Sequence, residues 1–502
     1  MNILLLFIII PILTIIGILF SKGQKQTRLI AAIGMGFQLI AAGVLIYLFL
    51  AERSAGNTAE MLFNSNWVWY ESLNIRFNIG VDGISVAMIG LTSIVIFAGI
   101  FASWEVDDLP REFFTSLILL SSGVFGFFIS LDLFTMFLFY EIAVIPMYLL
   151  IGIWGSGPRE YSAMKLTLML MGGSALIVPG LLGLYFYSNP AGGPLTFDIL
   201  EIAKVNIPIE AQRLFFPMLF VGFGVLGALF PFHTWSPDGH ASAPTAVSML
   251  HAGVLMKLGG YGCFRVAVFL LPEAAHEMAW IFLILTTISV IYGALGAIWQ
   301  KDLNYINAYS SVSHCGLVLF AILMFNETAM NGAIMQMISH GIMTALFFAL
   351  IGMIYGRTHT RYIDEMGGLM KVIPFLGVAY VIGGLASLGL PGFSGFVAEM
   401  TIFVGAFQHA DTFHRVATII AASSIVATAV YILRVVGILL LGKINNEHYE
   451  HLTDAKWYEK LSTGVLIFGI TAIGLAPLWL SDMINNGLGP IIKKLMMAGP
   501  IN

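Results

Sequence analysis

Apolar stretches of about twenty residues recur along nearly the whole chain, separated by short polar segments. Each stretch is long enough to cross a hydrocarbon core of about 30 Å as an α-helix. The first stretch lacks a basic leader and an A-x-A cleavage site, so we expect it to be retained as a span. The pattern predicts an all-α polytopic membrane protein with about fourteen transmembrane helices, at 2–20, 29–50, 81–103, 113–130, 132–153, 163–187, 213–231, 244–271, 278–299, 306–325, 330–355, 372–406, 416–441 and 461–481.

The connections and the composition agree with a single membrane domain over residues 1–502. Only 51–80, 188–212 and 442–460 are long connections, and none has room for a soluble domain. Hydrophobic residues make up 58% of the chain and charged residues 10%, against about 25% charged in soluble domains. The net charge of −5 without a basic patch argues against nucleic acid as a partner. Two cysteines predict neither a disulfide framework nor a thiolate metal site.

The basic residues of the alternating loops predict the orientation, because cytoplasmic loops carry an excess of Lys and Arg. The richer set is assigned to the cytoplasm, so both termini are predicted to face away from it. That set is Lys22, Lys25, Arg28, Arg111, Arg159, Lys301, Arg357, Arg361, Lys371, Lys443, Lys456 and Lys460. The opposite set is Arg53, Arg76, Lys204, Arg213, Arg415, Lys493 and Lys494.

Two of the predicted spans contain helix-breaking sequences. The seventh ends at Pro231, and the twelfth contains LGLPGFSGF with Pro391 between glycines. A broken helix is tolerated at membrane depth only where protein or a water-lined cavity satisfies the freed backbone. The five-span offset between the two breaks predicts two inverted five-helix repeats, at 113–271 and 278–441, with broken helices 7 and 12 near the ion pathway.

Three ionisable residues on otherwise apolar spans are candidates for proton chemistry. Glu141 lies about ten residues into its span, roughly 15 Å deep, and Lys257 lies in the middle of SMLHAGVLMKLGGYG. Buried ionisable residues in membranes usually face the protein interior and mark ion pathways. For Glu141 the alternative is a structural carboxyl group. A lysine near a span end can instead extend to the lipid headgroups, and for Lys165 this alternative is as good as a functional role.

Histidines and a second glutamate extend this set. The histidines can exchange protons near neutral pH, which suits a relay, although each can instead be a hydrogen-bonding packer. Glu399 follows the second break and is interpreted as an ionisable terminal station. No pair of the five histidines has the i, i+4 spacing of a helical metal site, so no metal is expected. The histidines are His233, His240, His251, His314 and His340.

Other charged residues near span ends favour structural roles. We expect Asp82, Asp132 and Asp238 to be solvated or to cap helices, and Arg265 and Arg434 to be structural or interfacial. His233 and His240 lie at the first break, and fixing that break is as good an assignment for them as a relay.

The chain resembles the antiporter-like membrane subunits of respiratory complex I, the proton-pumping NADH:quinone oxidoreductase, and within that group the subunit M type, the counterpart of mitochondrial subunit four. The resemblance covers essentially the whole sequence. Its most specific motifs are FYEIAVIPMYLLIGIWG, FPFHTWSPDGHASAPTAVSMLHAGVLMKLGGYG, KDLNYINAYSSVSHCG, MISHG and LPGFSGFVAE.

The resemblance implies fourteen helices, two inverted repeats that each form a half-channel, and a polar axis in the membrane plane. Glu141 would meet a lysine of the broken seventh helix, and Lys257, His314, His340 and Glu399 would continue the axis. Flavin, iron–sulfur clusters and quinone would be held by partner subunits, with no cofactor in this chain.

The chain departs from the family pattern at the expected seventh-helix lysine. Leu226 stands there, and no lysine occurs in 214–232. We hypothesise that His251 takes over part of that role, with Lys165 as a second candidate. His251 and Lys257 are six residues apart, about 9 Å along a helix, so a proton passing between them needs a bridging water or side chain.

These features predict a multi-pass proton-translocating subunit of bacterial complex I in the cytoplasmic (inner) membrane. Its partners would be protons, lipid and other membrane-arm subunits, including antiporter-like homologues. The chain would belong to an oxidoreductase without containing a redox centre. The alternatives are a subunit of a multi-subunit cation/proton antiporter or membrane-bound hydrogenase, and a non-conducting structural subunit of the membrane arm.

Overall fold

The computed structural model describes residues 2–190 and 192–499, and most of them are helical. The α-helices are α1 (Leu6–Leu19), α2 (Gln24–Ser54), α3 (Gly83–Ala102), α4 (Pro110–Ile129), α5 (Leu133–Trp154), α6 (Arg159–Phe186), α7 (Ile199–Ala203), α8 (Ile209–Leu226), α9 (Trp235–Ser242), α10 (Thr245–Leu250), α11 (Met256–Gly262), α12 (Pro272–Trp299), α13 (Leu303–Ile322), α14 (Glu327–Thr358), α15 (Pro374–Ser387), α16 (Ser394–Ala406), α17 (Thr412–Ala422), α18 (Ser424–Leu440), α19 (Trp457–Leu475) and α20 (Leu478–Ala498). Segments His251–Leu255 and Cys263–Val268 are π-helical. Short 3₁₀ turns lie at Ile3–Leu5, Glu71–Leu73, Ile363–Glu365, Leu369–Lys371 and Glu447–His451.

The helical membrane fold is confirmed, since every predicted span overlaps a helix or a run of helices. Within the described ranges, eleven helices are long and apolar enough to cross a membrane. The twelfth predicted span, 372–406, is divided into α15 and α16, as its Pro391 break predicts. The exact number of crossings, the orientation and the two repeats, 113–271 and 278–441, stay predictions.

Three helices form the centre of the bundle. In α3, α13 and α14, 89%, 89% and 94% of the most apolar window is buried inside the protein. A helix that is apolar on all sides and buried belongs to a core. Polar side chains on α13 and α14 therefore face other protein groups, and these two helices carry His314 and His340.

A β-hairpin occupies the long connection that was predicted at 51–80. Strand β1 (Leu62–Tyr70) pairs antiparallel with β2 (Ile75–Val81), with Leu62 opposite Val81 and Tyr70 opposite Ile75. Asn74, the residue before β2, has a φ of 51°. This is a left-handed conformation that Asn tolerates better than most residues. The amide of Asn2 donates to the Phe63 carbonyl at 2.5 Å, which anchors the start of the chain on the hairpin.

The last helix, α20, was not predicted. The predicted span 461–481 ends at Leu475, and Lys493 and Lys494 lie within α20 instead of in a loop. The buried positions of α20 recur every three or four residues, as in a helix lying on a surface, and include Leu480, Met483, Ile484, Gly487, Leu488, Ile491 and Leu495.

The contacts of α20 show where it lies. Asn331 donates to the Ser481 carbonyl (3.1 Å), His276 Nε2 to the Leu495 carbonyl (3.1 Å), and Lys494 Nζ to the Ala203 carbonyl (2.6 Å). Asn331 and His276 lie near the starts of α14 and α12, and Ala203 ends α7. Helix α20 therefore crosses one end of the bundle.

Glycine permits the closest helix contact near Glu141. A Cβ at Gly123 of α4 would lie 2.5 Å from the Ala143 amide nitrogen and 2.8 Å from the Phe139 carbonyl oxygen of α5. Both are backbone atoms, so this clash could be relieved only if α4 and α5 moved apart. The close packing of α4 against α5 therefore requires glycine at residue 123.

We predict that Gly123→Ala lowers the free energy of unfolding by about 1–3 kcal/mol, the usual cost of overpacking. Gly172→Ala is the matched control, because no atom lies within 4 Å of a Cβ at that position of α6. Thermal unfolding of the detergent-solubilised chain measures both. Equal stabilities for the two variants would contradict the assigned α4–α5 contact.

Candidate functional site

The first helix break separates α8 from α9, as Pro231 predicts. Helix α8 ends at Leu226, and Ala228 has a left-handed φ of 55°. The indole of Trp235 donates to the Val225 carbonyl at 3.0 Å, and the Phe230 amide donates to the Ser289 hydroxyl at 2.7 Å. Protein groups thus satisfy the backbone that the break frees, which an apolar environment requires.

His233 packs in the break, with ring centroids 5.6 Å from Phe230 and 4.8 Å from Tyr292. This contact agrees with a role in holding the break. His240 lies deeper and is fully buried, with ring centroids 4.3 Å from His251 and 5.1 Å from Phe348. His240 therefore belongs with His251 and not with the break.

The second break joins α15 to α16 through residues 388–393. Gly389 and Gly392 have φ of 64° and 98°, a region open to glycine at little cost. A Cβ at Gly389 would lie 3.1 Å from Glu399 Oε2. The missing side chain lets the broken backbone approach the Glu399 carboxyl group closely.

Four buried ionisable side chains form a connected series that we call the polar row: Lys257, His340, His314 and Glu399. Lys257 Nζ lies 2.7 Å from His340 Nδ1. The rings of His340 and His314 have centroids 5.1 Å apart, and His314 Nδ1 lies 3.4 Å from Glu399 Oε1. None of the four is more than 8% exposed. The structure thus unites residues of α11, α13, α14 and α16.

His314 has alternative partners for the same ring nitrogen. Its Nδ1 lies 3.0 Å from the Gln336 amide nitrogen and 3.4 Å from Glu399 Oε1. Without a proton, Nδ1 accepts from Gln336; with one, it donates to the Glu399 carboxylate. The two protonation states of His314 therefore have different partners already in reach.

Lys257 lies on a single α-helical segment between two π-helical segments. Its Nζ donates to the carbonyl of Ala252, five residues earlier and within the first π segment. Single π turns inside α-helices are frequent at functional sites. A regular α-helix was expected from His251 to Lys257, and the π segment His251–Leu255 interrupts it. The separation of the two side chains stays a prediction.

His240 and His251 form a second buried group, which we call the histidine pair. His251 is fully buried and stacks on Trp235, with centroids 5.1 Å apart. Among the described residues, none gives a hydrogen bond to any of the four ring nitrogens of the pair, or to Nε2 of His314 and His340. Buried polar atoms are nearly always hydrogen-bonded to protein or water, so these six nitrogens mark the parts of the interior that favour water.

Glu141 lies apart from the predicted cations. Ser174 Oγ donates to its carboxyl group at 2.5 Å, and that is its hydrogen-bond partner in the described chain. Lys165 instead forms an ion pair with Asp238 at 2.6 Å. Ser174 follows Lys165 by nine residues on α6, roughly 13.5 Å along the axis. In this structure Lys165 therefore pairs with Asp238 and Glu141 with Ser174. The second-candidate role of Lys165 in place of the missing lysine stays a prediction.

Asp238 also accepts a hydrogen bond from the Tyr305 hydroxyl at 3.0 Å, so it has a pairing role beyond the predicted capping or solvation. Leu226 is fully buried at the place of the missing lysine. His251 contacts Trp235 and His240, and the hypothesis that it replaces the lysine functionally stays a prediction.

The remaining acidic and basic residues have structural contacts. Asp132 caps α5 by accepting from the Phe134 and Thr135 amides, both at 3.0 Å, as predicted. Asp82 caps α3 and also pairs with Arg265, both nearly fully buried, so Asp82 is not solvated.

Arg434 donates to the Ile298 and Gln300 carbonyls at the end of α12. The structural assignments of Arg265 and Arg434 agree with these contacts. The sequence gives no sign of the Asp82–Arg265 pair, because its members are 183 residues apart.

A model of the family described as NADH:quinone oxidoreductase/Mrp antiporter, TM, matches residues 130–426. That range is more than half of the chain and includes both breaks, the polar row and the histidine pair. The chain belongs to this family. The family resemblance inferred from the motifs is confirmed.

Individual members of the NADH:quinone oxidoreductase/Mrp antiporter family are similar over most of their length. NADH-quinone oxidoreductase subunit M of Rickettsia prowazekii is 35% identical over 473 residues, 94% of each chain. NAD(P)H-quinone oxidoreductase chain 4 3 of a Picosynechococcus species is 41% identical over 377 residues, 74% of this chain and 68% of the relative.

Solved structures of distant members share the fold. A chain of respiratory complex I from Thermus thermophilus aligns with a TM-score of 0.88 at 23% identity, covering 99% of this chain and all of the other. A chain of the Mrp complex from a Dietzia species aligns with a TM-score of 0.83 at 19% identity, covering 99% of both.

Lys165→Met should leave the infrared bands of the Glu141 carboxyl group unchanged, because Lys165 contacts Asp238 instead. The bands are assigned by difference spectra against Glu141→Gln and Asp238→Asn. The Asp238 bands should shift in Lys165→Met. A shift of the Glu141 bands in that variant would show that the two residues are coupled after all.

Proposed function

We propose that this chain is a proton-translocating membrane-arm subunit of a bacterial NADH:quinone oxidoreductase, located in the cytoplasmic membrane beside other antiporter-like subunits. The extensive similarity to subunit M of Rickettsia prowazekii supports the assignment to that complex. In this proposal, partner subunits hold the flavin, iron–sulfur clusters and quinone and carry out electron transfer. This chain uses the released energy to move protons.

The polar row is the observation that carries the proposal. Its ionisable groups follow one another at contact distances, from Lys257 to His340 at 2.7 Å and from His314 to Glu399 at 3.4 Å. Charged groups so far from bulk water are costly, and a structural role alone explains such a series poorly. A lysine, two imidazoles and a carboxyl group can each gain or lose a proton, so together they can pass one along.

The alternative partners of His314 give the row a switching element. A proton arriving on Nδ1 replaces acceptance from Gln336 by donation to Glu399. The positive charge then lies next to the carboxyl group and favours its ionised form. Charge movement at one residue thereby changes proton affinity at the next, which is how electrostatic energy from a partner subunit can be transmitted.

A cavity of about 290 Å³ gives a route toward the histidine pair. It is lined at one end by Glu105, Ser156 and Arg361, among loops that the positive-inside rule assigns to the cytoplasm, and reaches Ser248 and Phe348. Phe348 stacks on His240, and Ser248 Oγ donates to the His240 carbonyl at 3.2 Å. The cavity therefore approaches the histidine pair from the predicted cytoplasmic side.

The mouth of this cavity is charged. Hydrogen bonds from Lys456 and Tyr458 hold the pKa of Glu105 below its ordinary value, so its carboxyl group is ionised at neutral pH. Arg361 donates to the Ala241 carbonyl at 2.6 Å. A charged entrance suits proton uptake from water.

Lys257→Met should abolish most coupled proton pumping while the complex still assembles, because Met fills a similar volume and cannot carry a proton. We expect the pumping rate to fall by at least about tenfold. Loss of a typical acid–base group lowers the rate of an enzyme by more than this. NADH-driven acidification of inverted membrane vesicles measures pumping, and NADH oxidation by an artificial acceptor checks assembly. Lys493→Met, an exposed lysine on α20, is the control.

Wild-type pumping in Lys257→Met would overturn proton translocation by this chain. If Lys257→Met and Glu399→Gln both pump normally while deletion of the chain disassembles the complex, the chain is a structural subunit.

His251→Met should give pumping intermediate between wild type and Lys257→Met, because the histidine pair leads toward the row without being part of it. Met249→Leu, a volume-conserving change two residues away, is the control. Wild-type pumping in His251→Met would show that His251 does not compensate for the missing lysine at Leu226.

A further inference from the structure

A polar cavity of about 220 Å³ lies at the end of the bundle that α20 crosses. Its walls are the connection between α7 and α8, the start of α12 and the end of α20. Gln212 ties two of these walls together. Its Nε2 donates to the Ile207 carbonyl at 2.8 Å, and its Oε1 accepts from the Glu273 amide at 3.1 Å. The cavity is thus held open by the fold, and its lining includes no residue of the polar row or the histidine pair.

Lys494 brings a positive charge to this cavity. Its Nζ donates to the Ala203 carbonyl at 2.6 Å and lies 5.4 Å from the centroid of the Phe269 ring. Burial alone lowers the pKa of Lys494 to about 8, so the side chain is still mostly an ammonium at pH 7. An ammonium has three N–H donors. Within residues 2–190 and 192–499, only the Ala203 carbonyl accepts from it and no carboxylate pairs with it.

Glu273 brings a negative charge to the same cavity. It lies in the first turn of α12, is partly buried, and forms no ion pair with any residue that the structure describes. Its carboxylate does not raise the pKa of Lys494, so the two charges do not neutralise each other. Lys204 also lines the cavity, but it is exposed and paired with Glu201 at 2.8 Å. The cavity therefore offers one cation and one anion that are both without a counter-charge in the described chain.

The position of the cavity is that of lipid headgroups. It lies at the start of α12, a helix long and apolar enough to cross a membrane. Trp280 and Ile284 follow Glu273 by seven and eleven residues, so the three side chains share one face of α12. Trp280 and Ile284 are 56% and 41% exposed. An acyl chain that extends from the cavity by about 15 Å, half of a hydrocarbon core, would run along this apolar face.

We propose that this cavity binds the headgroup of a phospholipid that carries both a phosphate and a primary ammonium, of the phosphatidylethanolamine type. Lys494 donates to the phosphate, and Glu273 accepts from the ammonium. Each unpaired charge of the cavity then gains a charge-assisted hydrogen bond. The proposal does not depend on proton translocation.

Other common headgroups match the cavity less well. Phosphatidylglycerol supplies a phosphate for Lys494 but leaves Glu273 without a counter-charge. Phosphatidylcholine supplies both charges, but its quaternary ammonium has no N–H to donate to Glu273. Free phosphoethanolamine has the right charges and no acyl chain to cover Trp280. We therefore expect phosphatidylethanolamine to bind more tightly than any of these three.

The test uses the full chain, purified in detergent and freed of lipid, and native mass spectrometry with phospholipids of identical acyl chains. One molecule of phosphatidylethanolamine should bind in preference to phosphatidylglycerol and phosphatidylcholine. Lys494→Met should weaken this binding by about tenfold, which corresponds to a loss of about 1.4 kcal/mol. Lys493→Met, which removes the neighbouring exposed lysine, is the matched control and should bind as wild type does. Glu273→Gln should remove the preference over phosphatidylglycerol.

Tryptophan fluorescence locates the bound lipid. Phosphatidylethanolamine with brominated acyl chains should quench the wild-type emission, and quenching should be weaker in Trp280→Phe and in Lys494→Met. Equal binding of the three phospholipids by the wild-type chain would overturn the proposal without reference to any variant. Equal binding in Lys494→Met and Lys493→Met would also overturn it, because the lipid would then lie elsewhere. Free phosphoethanolamine binding as tightly as the lipid would contradict the assignment to a phospholipid.

Discussion

A charged group or an unpaired backbone amide in the centre of this bundle lies away from bulk water, so it needs a partner in the protein or in a water-lined cavity. This constraint explains why the irregular parts of the chain coincide with the ionisable ones. The α8–α9 break is satisfied by Trp235 and Ser289, and the α15–α16 break brings glycine backbone against Glu399. The polar row lies between these breaks. Its members satisfy part of one another's hydrogen-bonding capacity and leave the rest available for water.

The same constraint accounts for the different environments of Lys257 and Glu141. Among the described residues, Lys257 Nζ is hydrogen-bonded to a carbonyl of its own π segment and to His340, and neither partner is a carboxylate. Glu141 has a serine hydroxyl where the family pattern implies a lysine. Leu226 stands in the lysine position, and the cavity lined by Phe348 approaches the histidine pair, which we propose as a substitute.

The sequence was sufficient for the helical membrane class, both breaks and the residues that form the polar row, because prolines and isolated ionisable residues stand out against apolar helices. It was insufficient for the pairings. Helices such as α14 are apolar on all sides, so their hydrophobic pattern does not indicate which face meets which neighbour. The Lys165–Asp238 and Asp82–Arg265 pairs and the contact between His240 and His251 depend on that rotation. The π segments were missed because local composition does not distinguish them from α-helix, and α20 was missed because the apolar run before it was extended too far.

In the proposed mechanism, the polar row and the histidine pair form one proton pathway. A structure of the assembled complex at a resolution that shows ordered water tests it most directly. We expect waters hydrogen-bonded to Nε2 of His340 and His314 and to the ring nitrogens of His240 and His251, joined into a continuous chain. Close apolar packing against these nitrogens, with no water between the pair and the row, would contradict it.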